Sequence, residues 1–233
     1  MGALKALAIT GLSLAVIGGG AVVGDGVARS YAEGQAAQQI QTALGMAQPP
    51  EVELGGWPFS LALLTRRVPT ASLSAAEVPL DISGQKVVVR EVEITAEDLS
   101  IDGAEITVGS GRADGLVGYP ALTQLAGVPV EAGDEAGRVE VSYTAQLFGR
   151  ELVASVSAVP ALSAERDRLL LEHPQIEVVG IQLSDSIAQW IIDQLVAPIP
   201  LELPYGLTPE EIAPGADGVR VAVTAQDFLV PQE

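Results

Sequence analysis

The chain has 233 residues, enough for one larger domain or two small ones with a real core, and 48% of it is apolar although only 4% is aromatic. Its formal charge of −18 excludes nucleic acid, which is met by clustered Lys and Arg, and disfavours attraction of the whole protein to an anionic membrane surface. It has no cysteine, which excludes disulfides, thiol catalysis, cysteine-ligated metals and lipidation of an N-terminal Cys.

Residues Ala6 to Gly24, "ALAITGLSLAVIGGGAVVG", carry no charge; Lys5 precedes them and Asp25 follows. As a helix this run would be roughly 28 Å long at about 1.5 Å per residue, close to the thickness of a hydrocarbon core. The basic side stays in the cytoplasm, so everything after Asp25 is expected outside. Residues 1–24 therefore read as a signal peptide or an N-terminal membrane anchor, and 25–233 as the exported domain. Removing 1–24 takes away Lys5 and no acid, which leaves the domain at −19.

Next comes "VARSYAEGQAAQQIQTALG", in which Ala32, Ala36, Ile40 and Leu44 recur every four residues. The spacing predicts a thin amphipathic helix that Gly45 caps and Pro49-Pro50 terminate. "EVELGGWPFSLALLTRRVP" (51–69) then sets a Trp-Pro-Phe triplet and a leucine-rich turn beside the Arg66-Arg67 pair. Phe59, Leu61, Leu63 and Leu64 predict a short apolar helix, ended by the two arginines, with Val68-Pro69 starting the next strand. Ordinary core packing with dipole-favoured arginines is one account of this stretch. The other is a lipid-contacting rim, with Trp57, Phe59, Leu61, Leu63 and Leu64 on acyl chains and Arg66 or Arg67 on phosphate.

The rest is read mainly as strands. "KVVVREVEITAEDL", "HPQIEVVGIQL" and "GVRVAVTAQDF" are candidates, and Glu91, Glu93, Glu97, Asp98 and Asp102 form a solvated face. In "RVEVSYTAQL", Val139, Val141, Tyr143, Ala145 and Leu147 point one way and Arg138, Glu140, Ser142, Thr144 and Gln146 the other. Phe148-Gly149-Arg150 turns this strand into "ELVASVSAV", a hairpin. Asp102-Gly103, Asp114-Gly115 and Asp217-Gly218 read as turns. Near the C-terminus "SDSIAQWIIDQLVAP" predicts a helix with a wide apolar stripe through Ile187, Trp190, Ile191 and Leu195, buried in a core or shared with a ligand. Many antiparallel strands and few helices give the α+β class, with a sheet that curls around the helices to cover its apolar face.

Catalytic chemistry is sparse. His173, the single histidine, reads as a solvated turn residue between a strand and Pro174. The exported region has no G-x-S-x-G elbow, no calcium loop and no phosphate-binding Gly-rich loop, so neither a metal nor a cofactor is expected.

"PPEVELGGWPFSLALL…VPTASLSAAEVPL" at 49–80 and "PIPLELPYGLTPEEIAPGADGVRVAVTAQDF" at 198–228 resemble the two ends of the LmeA-like family of actinobacterial cell-envelope proteins. Order and spacing carry the resemblance; Trp57 stands where Phe is usual and Ser60 where Leu is usual. It implies a tubular lipid-binding-like fold, a highly curved antiparallel sheet wrapped around a long helix, with an apolar groove for phospholipid. It also implies, for some members, phospholipase A activity and a role in elongating the mannan of envelope lipoglycans. Three functions stay open: an extracytoplasmic phospholipid-binding protein, a phospholipase A, and a structural envelope protein that recruits a glycosyltransferase. Trp57, Phe59, Leu61, Leu63, Leu64, Arg66, Arg67, Trp190 and Ile191 are the candidate lipid-binding residues.

Overall fold

Helix α1, Asp25–Leu44, forms where the four-residue spacing predicts it, with Ala32, Ala36 and Ile40 buried along one stripe. Gly45 ends it in the left-handed conformation (φ 64°) and donates its N–H to the Gln41 carbonyl. The fold comes from a computed structural model that describes residues 24–82, 84–102, 105–147, 150–178, 199–201, 203 and 207–230. The apolar N-terminal run up to residue 23 and the expected helix over 184–198, with Trp190 and Ile191, lie outside those residues. Among the described residues no helix is long and apolar enough to cross a membrane.

The remaining elements are β1 (Glu51–Leu54), α2 (Phe59–Thr65), β2 (Arg67–Ile82), β3 (Gln85–Asp102), β4 (Glu105–Gly118), α3 (Tyr119–Ala126), β5 (Val130–Ala132), β6 (Val139–Leu147), β7 (Arg150–Leu162), β8 (Arg168–Val178), β9 (Ile199–Pro200), β10 (Thr208–Pro214) and β11 (Gly218–Val230). Two sheets result, in the orders β1-β2-β3-β4-β11-β10 and β5-β6-β7-β8-β9. The class is sheet-dominated α+β, and the registered pairs β1–β2, β2–β3 and β5 through β9 are antiparallel. The chain forms two compact units. The first holds the chain up to Leu116 with 203–207 and 222–233; the second holds 117–202 and 208–221.

In the first unit the long β2–β3 pair carries the core. Val78 faces Val89, Leu80 faces Val87 and Val68 faces Leu99, all six buried. Strict alternation does not hold along β3. Val87 and Val89 point inward, then Val92 and Ala96, then Leu99, so the inward face changes parity twice. Each change coincides with a residue in the left-handed region, Glu91 (φ 49°) and Asp98 (φ 54°), and such a residue bends a strand and turns its side chains over. Two glycines of β4 lie against these bends. A Cβ on Gly109 would come 3.0 Å from the Asp98 Cβ, and one on Gly115 would come 2.7 Å from a Val89 methyl. Asp114-Gly115 is therefore not a turn: it lies inside β4, and its glycine permits a close approach instead. Ala32, Leu54, Phe59, Ala62, Val68, Ala96, Leu99, Ile106 and Val108 form one continuous buried cluster, which seats α1 and α2 on the sheet.

In the second unit, β6 and β7 make the expected hairpin, with Leu147 opposite Arg150. Among the described residues Tyr119, Val130 and Val219 form a buried cluster there, and the Tyr119 hydroxyl donates to the Gly215 carbonyl at 2.7 Å. One expectation is corrected here. His173 is not in a turn, because β8 continues through it: His173 (φ 51°) and Pro174 together oppose one residue of β7, a bulge that suits a proline lacking an N–H. Arg138, from the polar set of the β6 pattern, is buried at 6% exposure. It donates through Nε to Ser157 Oγ and through Nη2 to the Ser157 and His173 carbonyls, which holds the bulge.

Candidate functional site

Leu54 ends β1 buried in the core, and its N–H donates to Glu33 Oε1 at 2.9 Å. The chain then passes tightly under β2. Gly55 donates to the Thr70 carbonyl at 2.8 Å, and a Cβ there would lie 1.9 Å from Thr70 Oγ1, so a larger residue would force the Thr70 side chain to move. Gly56 follows at φ 105°, and the Trp57–Pro58 peptide bond is cis. Pro58 stands at the N-cap of α2 and supplies no side-chain cap. The cap comes instead from α1: Asp25 accepts the Phe59 N–H at 2.8 Å and the Ser60 N–H at 2.7 Å. These two backbone donors, Ser60 first and then Phe59, hold the Asp25 carboxyl below its ordinary value, and the Arg29 charge adds to the effect. Arg29 donates to the Gly56 carbonyl and sets its guanidinium 5.5 Å from the centre of the Phe59 ring. At the far end Arg66, in the left-handed region, donates its N–H to the Ala62 carbonyl and accepts the Ile101 N–H at 2.9 Å.

The seven residues of α2 thus have both ends fixed by backbone contacts, and the two faces divide the predicted lipid-binding residues. Phe59 is fully buried, Ala62 is buried and Leu63 packs partly buried against the same core. Outward, Trp57 is 88% exposed, Leu64 83% and Leu61 53%, while Arg66 and Arg67 are exposed at the C-terminal end. Phe59 is a core residue whose removal would be felt as a cavity, whereas Trp57, Leu61 and Leu64 are free to meet something apolar. Taking a large apolar side chain fully out of water contributes about 1.5–3 kcal/mol. An exposed ion pair made by either arginine contributes about 0–1 kcal/mol. Affinity at this face would therefore come from the apolar trio, and the arginines would set the headgroup.

The anchoring residues were not singled out in the sequence. Asp25, Arg29 and Glu33 are spaced by four, and at about 100° per residue they share a face with Ala32, Ala36 and Ile40. Charges interleaved with a stripe that packs on the core are the signal that could have found them.

A second concavity of about 1070 Å³ lies beyond the other end of α1, where Met46, Ala47 and Pro49 face Ala75, Ala76, Val88 and Val92. Glu51, Glu77, Glu91 and Glu93 rim it with Arg90, a lining that tolerates apolar chain and repels an anionic phosphate. His173 is exposed, and among the described residues its imidazole has no hydrogen bond to a serine or a carboxylate. No three His, Asp or Glu side chains among the described residues are grouped to hold a metal ion.

A family model described as LmeA-like phospholipid-binding matches residues 23–224. No curated protein and no solved structure matches the chain.

Proposed function

Because the chain belongs to the LmeA-like phospholipid-binding family, we propose that it binds phospholipid on the extracytoplasmic, periplasmic side of the cell envelope and there supports elongation of the mannan of lipoglycans. Phospholipid binding is what the family's description names. Export is supported by Lys5 ahead of the charge-free run from Ala6 to Gly24. In this reading the sheet coils around α1 in the tubular lipid-binding manner and its apolar groove takes acyl chains. The two parity changes in β3, at Glu91 and Asp98, support such coiling.

One observation carries the assignment to a part of the molecule. It is the outward face of α2, where Trp57, Leu61 and Leu64 are exposed next to Arg66 and Arg67 on a backbone locked at both ends. Phe59 and Leu63 form the floor beneath that face, and Trp190 and Ile191 are proposed as further lining.

The test is mass spectrometry of the organic extract from the purified full chain. Intact phospholipid in amounts comparable to the protein is expected, and an extract free of phospholipid overturns the proposal. Lysophospholipid with free fatty acid would point to phospholipase A instead. A reporter fused after Glu233 tests the location: activity in the cytoplasm alone excludes export.

A further inference from the structure

Groove binding concerns one lipid at a time, whereas the outward face of α2 has the make-up of a surface that meets many. We propose that Trp57, Leu61 and Leu64, with Arg66 and Arg67, dock the first unit onto the phospholipid bilayer to which the N-terminal apolar segment leads. The proposal rests on the export reading of residues 1–24 given above, in its form as a retained membrane anchor.

Position is the first argument. Asp25 is the first charged residue after the charge-free run, and so marks where an apolar segment in the bilayer must reach water. That same carboxylate holds the Phe59 and Ser60 N–H groups at 2.8 and 2.7 Å, and Arg29, one turn on, holds the Gly56 carbonyl. Two direct contacts therefore tie the start of α2 to the boundary residue. A chain anchored through residues 1–24 carries Trp57 and α2 to the membrane–water interface with it. The cleft beyond Leu44 is a whole helix away, roughly 30 Å at about 1.5 Å per residue.

The chemical order of the side chains points the same way. Tryptophan favours the headgroup level, leucine the acyl region, and arginine pairs with phosphate in a forked geometry. Trp57 precedes α2, Leu61 and Leu64 lie one turn apart on its exposed side, and the arginines close it, so all three chemistries share one short element. The charge of the chain is −18, so its overall field opposes an anionic bilayer; the Arg66-Arg67 pair places two positive charges at the end of this helix. A local apolar and cationic patch is what a strongly acidic domain needs to rest on such a membrane.

The absence of native cysteine makes the test direct. Single cysteines at Leu61 and Leu64, and a control at the exposed Val88 of the distant cleft, are labelled with an environment-sensitive fluorophore. The full chain is reconstituted into vesicles of phosphatidylcholine and phosphatidylglycerol. Labels at 61 and 64 are expected to shift to the blue and to be quenched by spin-labelled lipid, while the label at 88 reports water. Adding Leu64→Glu should weaken the quenching at 61 about tenfold, since one buried leucine is worth at least that factor. Circular dichroism checks that each variant is folded, and the two label sites are read independently.

Labels at 61 and 64 that report water in vesicle-bound protein overturn the docking surface. A blue shift without lipid quenching also overturns it, because a protein partner would then cover this face. If the full chain fails to float with vesicles, the anchor fails and the proposal with it. Phospholipid in the extract with water-exposed labels removes docking alone; bilayer-buried labels with no phospholipid in the extract remove groove binding alone.

Discussion

The two units solve the same backbone problem with opposite charges and leave opposite surfaces. In the first, α2 begins at a proline without a side-chain cap, and Asp25 reaches across 34 residues to accept its first N–H groups. In the second, a bulge at His173 takes carbonyls out of the β ladder, and Arg138 reaches across 35 residues to donate to one of them. Each charge stands in for a hydrogen bond that regular structure would have made. The surfaces then diverge. Among the described residues the large exposed apolar side chains (Val27, Tyr31, Trp57, Leu61, Leu64, Val88 and Leu229) all belong to the first unit. At α2 the exposed Trp57, Leu61 and Leu64 lie over a buried floor of Phe59 and Ala62. A contiguous exposed apolar patch is the kind of surface that serves binding, whereas scattered apolar side chains need no such explanation.

The comparison breaks most sharply at Phe59. If α2 has a core face and a binding face, Phe59→Ala should lower stability by about 3–5 kcal/mol, the cost of emptying an aromatic site in a close-packed core. Denaturant unfolding of the full chain, followed by circular dichroism, measures it. A loss below about 1 kcal/mol would mean that Phe59 is not part of the core in solution.

In the second unit the corresponding change is Arg138→Met. It keeps the apolar stem and removes every donor, leaving the Ser157 and His173 carbonyls without their partner. A loss of about 1–3 kcal/mol is expected. Faster amide exchange should be confined to β7 and β8 around the bulge. Lysine should not rescue the site, because a single ammonium cannot reproduce the fork that Nε and Nη2 make on Ser157.

How much of this was legible in the sequence follows from which rules are local. Periodicity of four with Gly45 and Pro49 behind it marks α1, and alternation around Phe148-Gly149 marks the β6–β7 hairpin, because each signal lies within the element it describes. The short helix over Phe59–Thr65, with arginines at its end, was legible for the same reason. The bends at Glu91 and Asp98 were not, since neither residue is a glycine and ordinary charged residues in a strand announce no left-handed backbone. Gly115 was misleading because Asp-Gly favours turns, while the use of this glycine is to clear Val89 on the adjacent strand. The burial of Arg138 was not legible either, because alternation holds only inside a strand and Arg138 stands one residue before β6 begins. Half of the site was readable as apolar composition, but which side of α2 faces out depends on Asp25 and Arg29, distant in sequence.

A smaller effect is expected at Asp25, and it depends on pH. The Asp25 carboxyl is held below its ordinary value of 3.8 by the backbone donors of Ser60 and Phe59. A lowered folded-state value means that the ionised form is preferred in the folded protein. Its stabilising contribution is therefore complete above the unfolded value and is lost as pH falls through the folded one. Acidification below about 4 should loosen α2 before it unfolds the sheet, a change visible as faster exchange of the Phe59 and Ser60 amides. In Asp25→Asn these amides should exchange faster at neutral pH and lose that pH dependence. An unchanged exchange profile would show that the cap contributes nothing in solution.

The smallest stability effect belongs to the residues most exposed. Leu64→Ser removes a side chain that is 83% exposed and contributes little to the core, so unfolding should shift by no more than about 0.5 kcal/mol. Trp57→Ser should behave alike, since the backbone around it is held through Gly55, Gly56 and the cap of α2, not through the indole. Any stability cost above that range would mean that these side chains are covered by the protein itself. Docking of this face on the vesicle should respond in the opposite order to stability. Lipid quenching of a label at residue 61 should fall about tenfold or more for each of these two substitutions, because the apolar transfer term is lost where no folding contact depends on it. Arg66→Gln should alter preference between anionic and zwitterionic vesicles more than total binding, since an exposed charge is screened within about 8 Å at physiological salt. Two leucines of one short helix then separate the roles. Leu63, half-buried on the core, should cost stability, and Leu64, next in sequence and turned to solvent, should cost only membrane contact. A stability loss at Leu64 equal to that at Leu63 would put both on the core and leave α2 without a binding face.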